Sequence, residues 1–402
     1  MLLALLAAEG GVRLLTPREQ PIDPAKIDLT SYFSEAEIRR GARFARPQFA
    51  LAMARGAIEL ASLALLVHRP PHWLNRRFKR PAAGGAASAV GLALALSLPP
   101  LPLRAISRRR GIAVGLVTQS WRDWGADLLK SSAIEAVLAA GAGSAVVAVT
   151  RRYPRGWWLP AATGSVVFGA GLAALAPVVL DPVFNEFTPL PEGETRSDVL
   201  ELARAAGVTV GEVYSVDASR RTTAANAYVA GLGPTKRVVL FDTLLDRYSH
   251  DEIRVVVAHE LAHVRNRDVV RGVIYAALVA PAAALAVQRL SWDLSPERGT
   301  AGALPALALA AVLVGAPTGL IGNRLSRAIE RRSDAYSLTL TGAPDAFISF
   351  ERAIALQNVA DLKPPRWLTS LLATHPPTAE RIGAAVSYAE RYAEGAEGSS
   401  GS

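Results

Sequence analysis

The residues best suited to chemistry lie in Val255-Val-Val-Ala-His259-Glu260-Leu-Ala-His263-Val-Arg-Asn-Arg-Asp268. The apolar flanks predict a buried helix, in which residues i and i+4 share a face, so His259 and His263 reach one ion while Glu260 projects beside it. Such a pair of neutral imidazoles suits one Zn²⁺ per chain, which lowers the pKa of a bound water from 15.7 to roughly 7. Glu260 then stands as general base, taking the water's proton as it attacks a peptide carbonyl and delivering it to the leaving amine. The plainer alternative is a helix with one surface and one core histidine. Against it, two of only six histidines bracket a Glu at the catalytic position.

The chain has no cysteine, so His, Asp and Glu are the available metal ligands, and thiolate or disulfide chemistry is excluded. A third-histidine pattern would need Gly at 266 and His at 269, where Asn266 and Val269 stand. That leaves a downstream carboxylate. In Asn323-Arg-Leu-Ser326-Arg327-Ala-Ile-Glu330-Arg331-Arg332-Ser-Asp334-Ala335, helical spacing puts Glu330 and Asp334 on one face. Glu330 is the natural third ligand, and Asp334 is placed to hold the free N–H of a ligand histidine. Alone, this stretch reads by default as a juxtamembrane helix with ordinary Glu–Arg pairs; its position just beyond the apolar hairpin, which brings it back beside His263, favours the ligand reading.

The elements that must position these groups are largely membrane helices. Of 402 residues, 50% are hydrophobic and 20% charged, and the formal charge is +9. Apolar runs over residues 48–67, 82–103, 131–149, 157–180, 269–292 and 301–322 have the roughly 20 residues needed to span a bilayer. In the first, Arg55 and Glu59 are spaced to pair on one face; its alternative is an amphipathic surface helix. Residues 1–8 are too short to span and are expected to be the remainder of a helix that begins outside this chain. Arginine clusters (Arg76-Arg77, Arg108-Arg109-Arg110, Arg151-Arg152) flank the runs and read as contacts to anionic headgroups; no nucleic-acid motif accompanies them. The turn at 293–300 has Arg298 as its sole basic residue, whereas Arg324, Arg327, Arg331 and Arg332 follow the other end, which places that end in the cytoplasm. The loop at 68–81 argues less cleanly, since it carries Arg69, Arg76, Arg77, Lys79 and Arg80 yet lies outside on this count.

Between residues 180 and 269, a charged helix at 194–206 precedes runs at 212–216, 224–229 and 237–241 that predict a small antiparallel sheet. A mostly helical block follows at 323–392. The expected organisation is an N-terminal transmembrane region (1–180), a first protease part (181–268), a transmembrane hairpin (269–322), a second protease part (323–392) and a flexible Gly/Ser-rich tail (393–402).

Several ordered motifs point further: Asp181-Pro182-Val-Phe-Asn185-Glu-Phe187-Thr-Pro189-Leu, Val216-Asp217-Ala-Ser219-Arg220-Arg221, Asn226-Ala227-Tyr228-Val-Ala-Gly231, Arg237-Val-Val-Leu-Phe241-Asp242-Thr243-Leu, the two helices above, and Thr374-His375-Pro376-Pro377-Thr-Ala-Glu-Arg381-Ile. With these, the chain from about Gly115 onward resembles the type I CAAX prenyl endopeptidases and the related HtpX-like proteases, integral-membrane zinc metalloproteases of the gluzincin type. That resemblance implies His259, His263 and Glu330 as zinc ligands and Glu260 as the base. It implies an edge strand beginning at Asn226 and Ala227 that binds extended substrate, and His375 and Arg381 as catalytic groups lining the site. By residue type alone, His375 is an extended residue entering a helix and Arg381 a helix-surface charge. The family's first spanning helix is reduced here to residues 1–15.

The expectation is therefore a mainly α, multi-pass membrane protein whose zincin-like domain contains a small antiparallel sheet. It would lie in the cell membrane with that domain in the cytoplasm, hydrolysing membrane-associated proteins or peptides. The competing reading is a non-catalytic membrane scaffold or transporter with a structural zinc site, which requires a closed four-ligand shell.

Overall fold

The computed structural model describes residues 1–19, 21–74, 78–231 and 236–400, so Arg76 and Arg77 lie outside the described residues. A short apolar helix α1 (Leu2–Leu15) is followed by α2 (Glu35–His68), α3 (Pro81–Ser97), α4 (Leu101–Ala113), α5 (Trp121–Arg152) and α6 (Trp158–Val179). The segment expected to span at 82–103 is broken: α3 and α4 meet at 49° across Pro99 and Pro100, which cannot continue the ladder of helix hydrogen bonds. α3 instead packs tightly on α5, where a Cβ on Gly85 would stand 2.5 Å from the Gly143 carbonyl oxygen, so the backbones themselves meet. The anticipated Arg55–Glu59 pair gives way to a contact between helices, with Arg104 of α4 4.0 Å from Glu59.

The chain then leaves the apolar layer through α7 (Asp181–Phe184), β1 (Phe187–Pro189), α8 (Glu194–Ala205), β2 (Glu212–Val216), β3 (Ala227–Ala230), β4 (Arg237–Phe241) and α9 (Asp242–Leu245). The strands form one sheet in the order β1-β2-β4-β3. It is mixed where an antiparallel sheet was expected, because β4 inserts between β2 and β3 and runs parallel to β2, with Val213 opposite Val238. The Val-Val-Leu centre of β4 is buried, as suits an inner strand. β3 is left at the edge, its Ala227 opposite Leu240. Among the motif residues, Arg221 ties this region to α5, reaching Asp127 at 3.0 Å, and also bonds Asn185, while Tyr228 donates to Asp181 at 3.1 Å and Ser219 N donates to Asp242 at 2.9 Å.

Next come α10 (His250–Arg265), α11 (Asp268–Leu294), α12 (Leu304–Thr341), α13 (Pro344–Gln357), α14 (Arg366–Leu371) and α15 (Thr378–Ser400). α12 is one 38-residue helix, so the boundary expected near residue 322 falls inside an unbroken element that joins the membrane hairpin to the second protease part. It ends at Gly342, whose φ of 61° a glycine adopts without strain. α15 extends to Ser400, into the stretch expected to form the tail. Among the described residues five helices are long and apolar enough to cross a membrane (α2, α5, α6, α11, α12), or six if α3 and α4 form one bent span. Val137, Val167 and Val269 are exposed on these helices, as lipid contact requires.

Candidate metal centre

α10 starts on a complete capping box, with Ser249 accepting from Glu252 N and Glu252 returning to Ser249 N. His250 is the first helical residue and lies 3.7 Å from Asp198. The inner face of α10 packs Ile253, Val256, Val257 and Leu261 against Val213, Val238 and Leu240 of the sheet. This burial fixes the helix rotation, and with it the direction of His259 and His263.

The two imidazoles face each other with 3.2 Å between their Nε2 atoms. From α12, Glu330 Oε2 stands 3.3 Å from His259 Nε2, and Oε1 3.7 Å from His263 Nε2. One ligand atom from each of the three lies within 4.8 Å of the others, the one such metal-ready group among the described residues. Two apposed ring nitrogens cannot both donate, and Glu330 Oε2 is buried without a hydrogen-bond partner. A cation between them would satisfy all three groups, so the donor set fits a divalent metal bound by His, His and Glu.

Behind each imidazole stands a carboxylate, as Asp334 was expected to do for one of them. His259 Nδ1 is 2.9 Å from Asp334 Oδ1, a close charge contact off the N–H direction. Asp334 is itself clamped by Arg381, which donates from Nε at 2.9 Å and Nη2 at 2.6 Å. The other Arg381 nitrogen, Nη1, is 2.6 Å from Glu351 of α13. Arg381 thus turns inward behind His259, partly buried, and is not a charge on the helix surface. Burial pushes the Glu351 carboxyl up to about 7 although Arg381 pulls it down. For Arg381, burial disfavours the charge, but Asp334 and Glu351 outweigh it and hold the guanidinium firmly ionised.

His263 Nδ1 meets Asp268 Oδ2 at 3.1 Å and Ser333 Oγ at 3.3 Å. Asp268 opens α11, brought back by a two-residue turn in which Arg267 adopts a left-handed φ of 53°. Arg332 Nη2 donates to Asp268 Oδ1 at 2.5 Å. Sequence reasoning missed Asp268, Arg332 and Glu351. Only the first had a local signal, an acid five residues beyond His263.

Glu260 follows His259 on α10; burial raises its pKa while His259 and His263 pull it down, and the net direction is up. Burial alone would lower the His259 pKa, but contacts with Asp334 and Glu330 raise it to about 10. His375 stands exposed at the open side, its Nε2 3.4 Å from Glu330 Oε2. Asn226 is exposed just before β3 and its carbonyl accepts from Phe241 N at 3.1 Å, while Ala227 is buried as the first residue of that strand. β3 packs on α10.

Fold and site together define a membrane-embedded metallopeptidase with ligands on two crossing helices. Residues 189–389 match peptidase family M48, and the chain belongs to that family. It is 30% identical over 300 residues to "Uncharacterized metalloprotease YhfN" of Bacillus subtilis (strain 168), covering 72% of this chain and 70% of that protein. It is also 30% identical over 221 residues to "CAAX prenyl protease 1 homolog" of Oryza sativa subsp. japonica, covering 53% of this chain and 52% of the relative. The crystal structure of S. mikatae Ste24p shares the fold, with a TM-score of 0.78, 20% identity and 95% of each chain covered. The protein is a metalloendopeptidase of the membrane, which displaces the reading as a non-catalytic scaffold or transporter.

Proposed function

We propose that this chain uses one zinc ion to hydrolyse peptide bonds of membrane-associated proteins or peptides on the cytoplasmic side of the cell membrane. The observation that carries this reading is the convergence of His259, His263 and Glu330 within 4.8 Å beside Glu260. When bound there, zinc would supply Lewis acidity and lower the pKa of a water to roughly 7. Glu260 takes the proton of the attacking water and returns it to the departing amine. Its burial strengthens it as a base. His375, on the open side, donates to the oxygen that gains charge at the scissile carbonyl. Arg381 acts through Asp334, fixing the orientation of His259. The free edge of β3, starting at Asn226 and Ala227, pairs with the backbone of an extended substrate. Arg324, Arg327, Arg331 and Arg332 follow the apolar part of α12 at this end, which supports the cytoplasmic orientation.

The test is peptide cleavage by detergent-purified wild type and Glu260→Gln, with metal content measured for both. We expect cleavage to fall by at least about 100-fold, the lower range for a general base, with zinc retained. Equal cleavage by two zinc-loaded proteins would refute the mechanism.

A further inference from the structure

A second polar site lies further along α12, toward its membrane-spanning part. A pocket of about 450 Å³ is lined by Arg324, Arg327 and Arg331 together with Val12, Thr16, Thr369, Ser370 and Glu380. The three arginines recur at i, i+3 or i+4 and so share a face. Two carboxylates answer them: Arg324 meets Glu9 at 2.5 Å, a group also held by Arg13, and Arg331 meets Glu380 at 2.5 Å. Arg327 is buried, and its guanidinium donates to the carbonyls of Ala373 and Ser370 at 2.5 and 2.6 Å. It carries its charge into the pocket wall with no carboxylate among these partners. The pocket therefore has a surplus of positive charge.

Its position says which anion belongs there. The apolar run of α12 ends at residue 322, immediately before Arg324. Thr369 and Ser370 come from α14, whose Trp367 and Leu371 are both exposed. Trp367 packs edge-on against Phe49, with ring centroids 6.0 Å apart, where α2 begins its own apolar run. Leu14, on the face of α1 opposite the pocket-lining Val12 and Thr16, is exposed as well. An amphipathic tryptophan, the ends of two spans and exposed leucines at one level mark the boundary between hydrocarbon and headgroups. We infer that this pocket binds the phosphate-bearing headgroup of an anionic phospholipid, its acyl chains lying along the exposed Trp367 and Leu371 of α14.

The experiment titrates the full-length protein in neutral detergent with phosphatidylglycerol, phosphatidylcholine, inorganic phosphate and a short peptide with a free C-terminus, reading bound species by native mass spectrometry. Saturable binding is expected for phosphatidylglycerol alone. Each removed arginine should weaken it roughly fivefold, so Arg324→Gln/Arg331→Gln should weaken it about 25-fold. Ser370→Glu, which puts an anion at the exposed rim and leaves every arginine pair intact, should abolish it and decides the matter if the double variant does not fold. Equal phosphatidylglycerol binding by wild type and Ser370→Glu would overturn the inference. So would phosphatidylcholine or inorganic phosphate binding as tightly, or the peptide binding in place of the lipid.

Discussion

His259 and His263 sit one turn apart on α10, yet the protein holds them by different means. His259 is enclosed: its side chain is 9% exposed, and the Asp334–Arg381–Glu351 chain behind it draws on α12, α15 and α13. His263 is 24% exposed and leans on Asp268, only five residues away, with Arg332 behind. The first arm is assembled by tertiary packing in a dry interior, where charges interact strongly and an unpaired one is costly. The second begins with a nearly local partner and leaves its imidazole partly open to water, although Asp268 and Arg332 behind it are themselves buried. One imidazole is thereby fixed by the fold and the other by a turn.

Asp334→Asn should show the largest effect on this contrast. It removes the charge facing both His259 and Arg381, so metal affinity should drop roughly 100-fold, the upper range for an outer-shell carboxylate. Arg381 would keep only Glu351, and stability should fall by about 3 kcal/mol, measured by denaturant unfolding. Asp268→Asn should cost roughly 10-fold in metal affinity, because solvent reaches His263. Equal losses in the two variants, measured by competition with a zinc chelator, would erase the distinction between the arms.

Glu351→Gln offers the smallest and sharpest test. The Glu351 pKa of about 7 in the folded protein exceeds its ordinary 4.5, so the folded state holds this proton more tightly. Its contribution to stability is then greatest below pH 4.5, declines as pH rises toward 7 and is flat above. The variant should lose that slope in a Tm-against-pH series while the His263 arm is untouched. An unchanged slope would show that Glu351 is not the titrating group.

The sequence exposed the parts of this site that follow helical periodicity. His259, Glu260 and His263 lie within one turn, where residue type and period carry the reading; Glu330 and Asp334 repeat that spacing on α12, but there the apolar hairpin that returns the chain beside His263 had to be added. Arg381 and His375 needed the family resemblance, because nothing local shows that Arg381 turns inward to Asp334. Glu351 was illegible, since a lone acid on an amphipathic helix looks solvated until α13 packs against α15. In the sheet, alternation located the strands, but their order depended on where β4 inserted. The 49° break between α3 and α4 was signalled by Pro99 and Pro100 and masked by the apolar residues around them.

The unbroken run of α12 makes the reading frame of a membrane span part of the coding of a metal site. Glu330 lies about 12 Å along the helix from Gly322, and each residue added below it would raise the ligand by about 1.5 Å and turn it by about 100°. A single-residue insertion among lipid-facing leucines would thus act as an active-site mutation, swinging Glu330 away from His259 with every ligand residue still present. Length in the apolar part of α12 is as constrained as identity at its polar end.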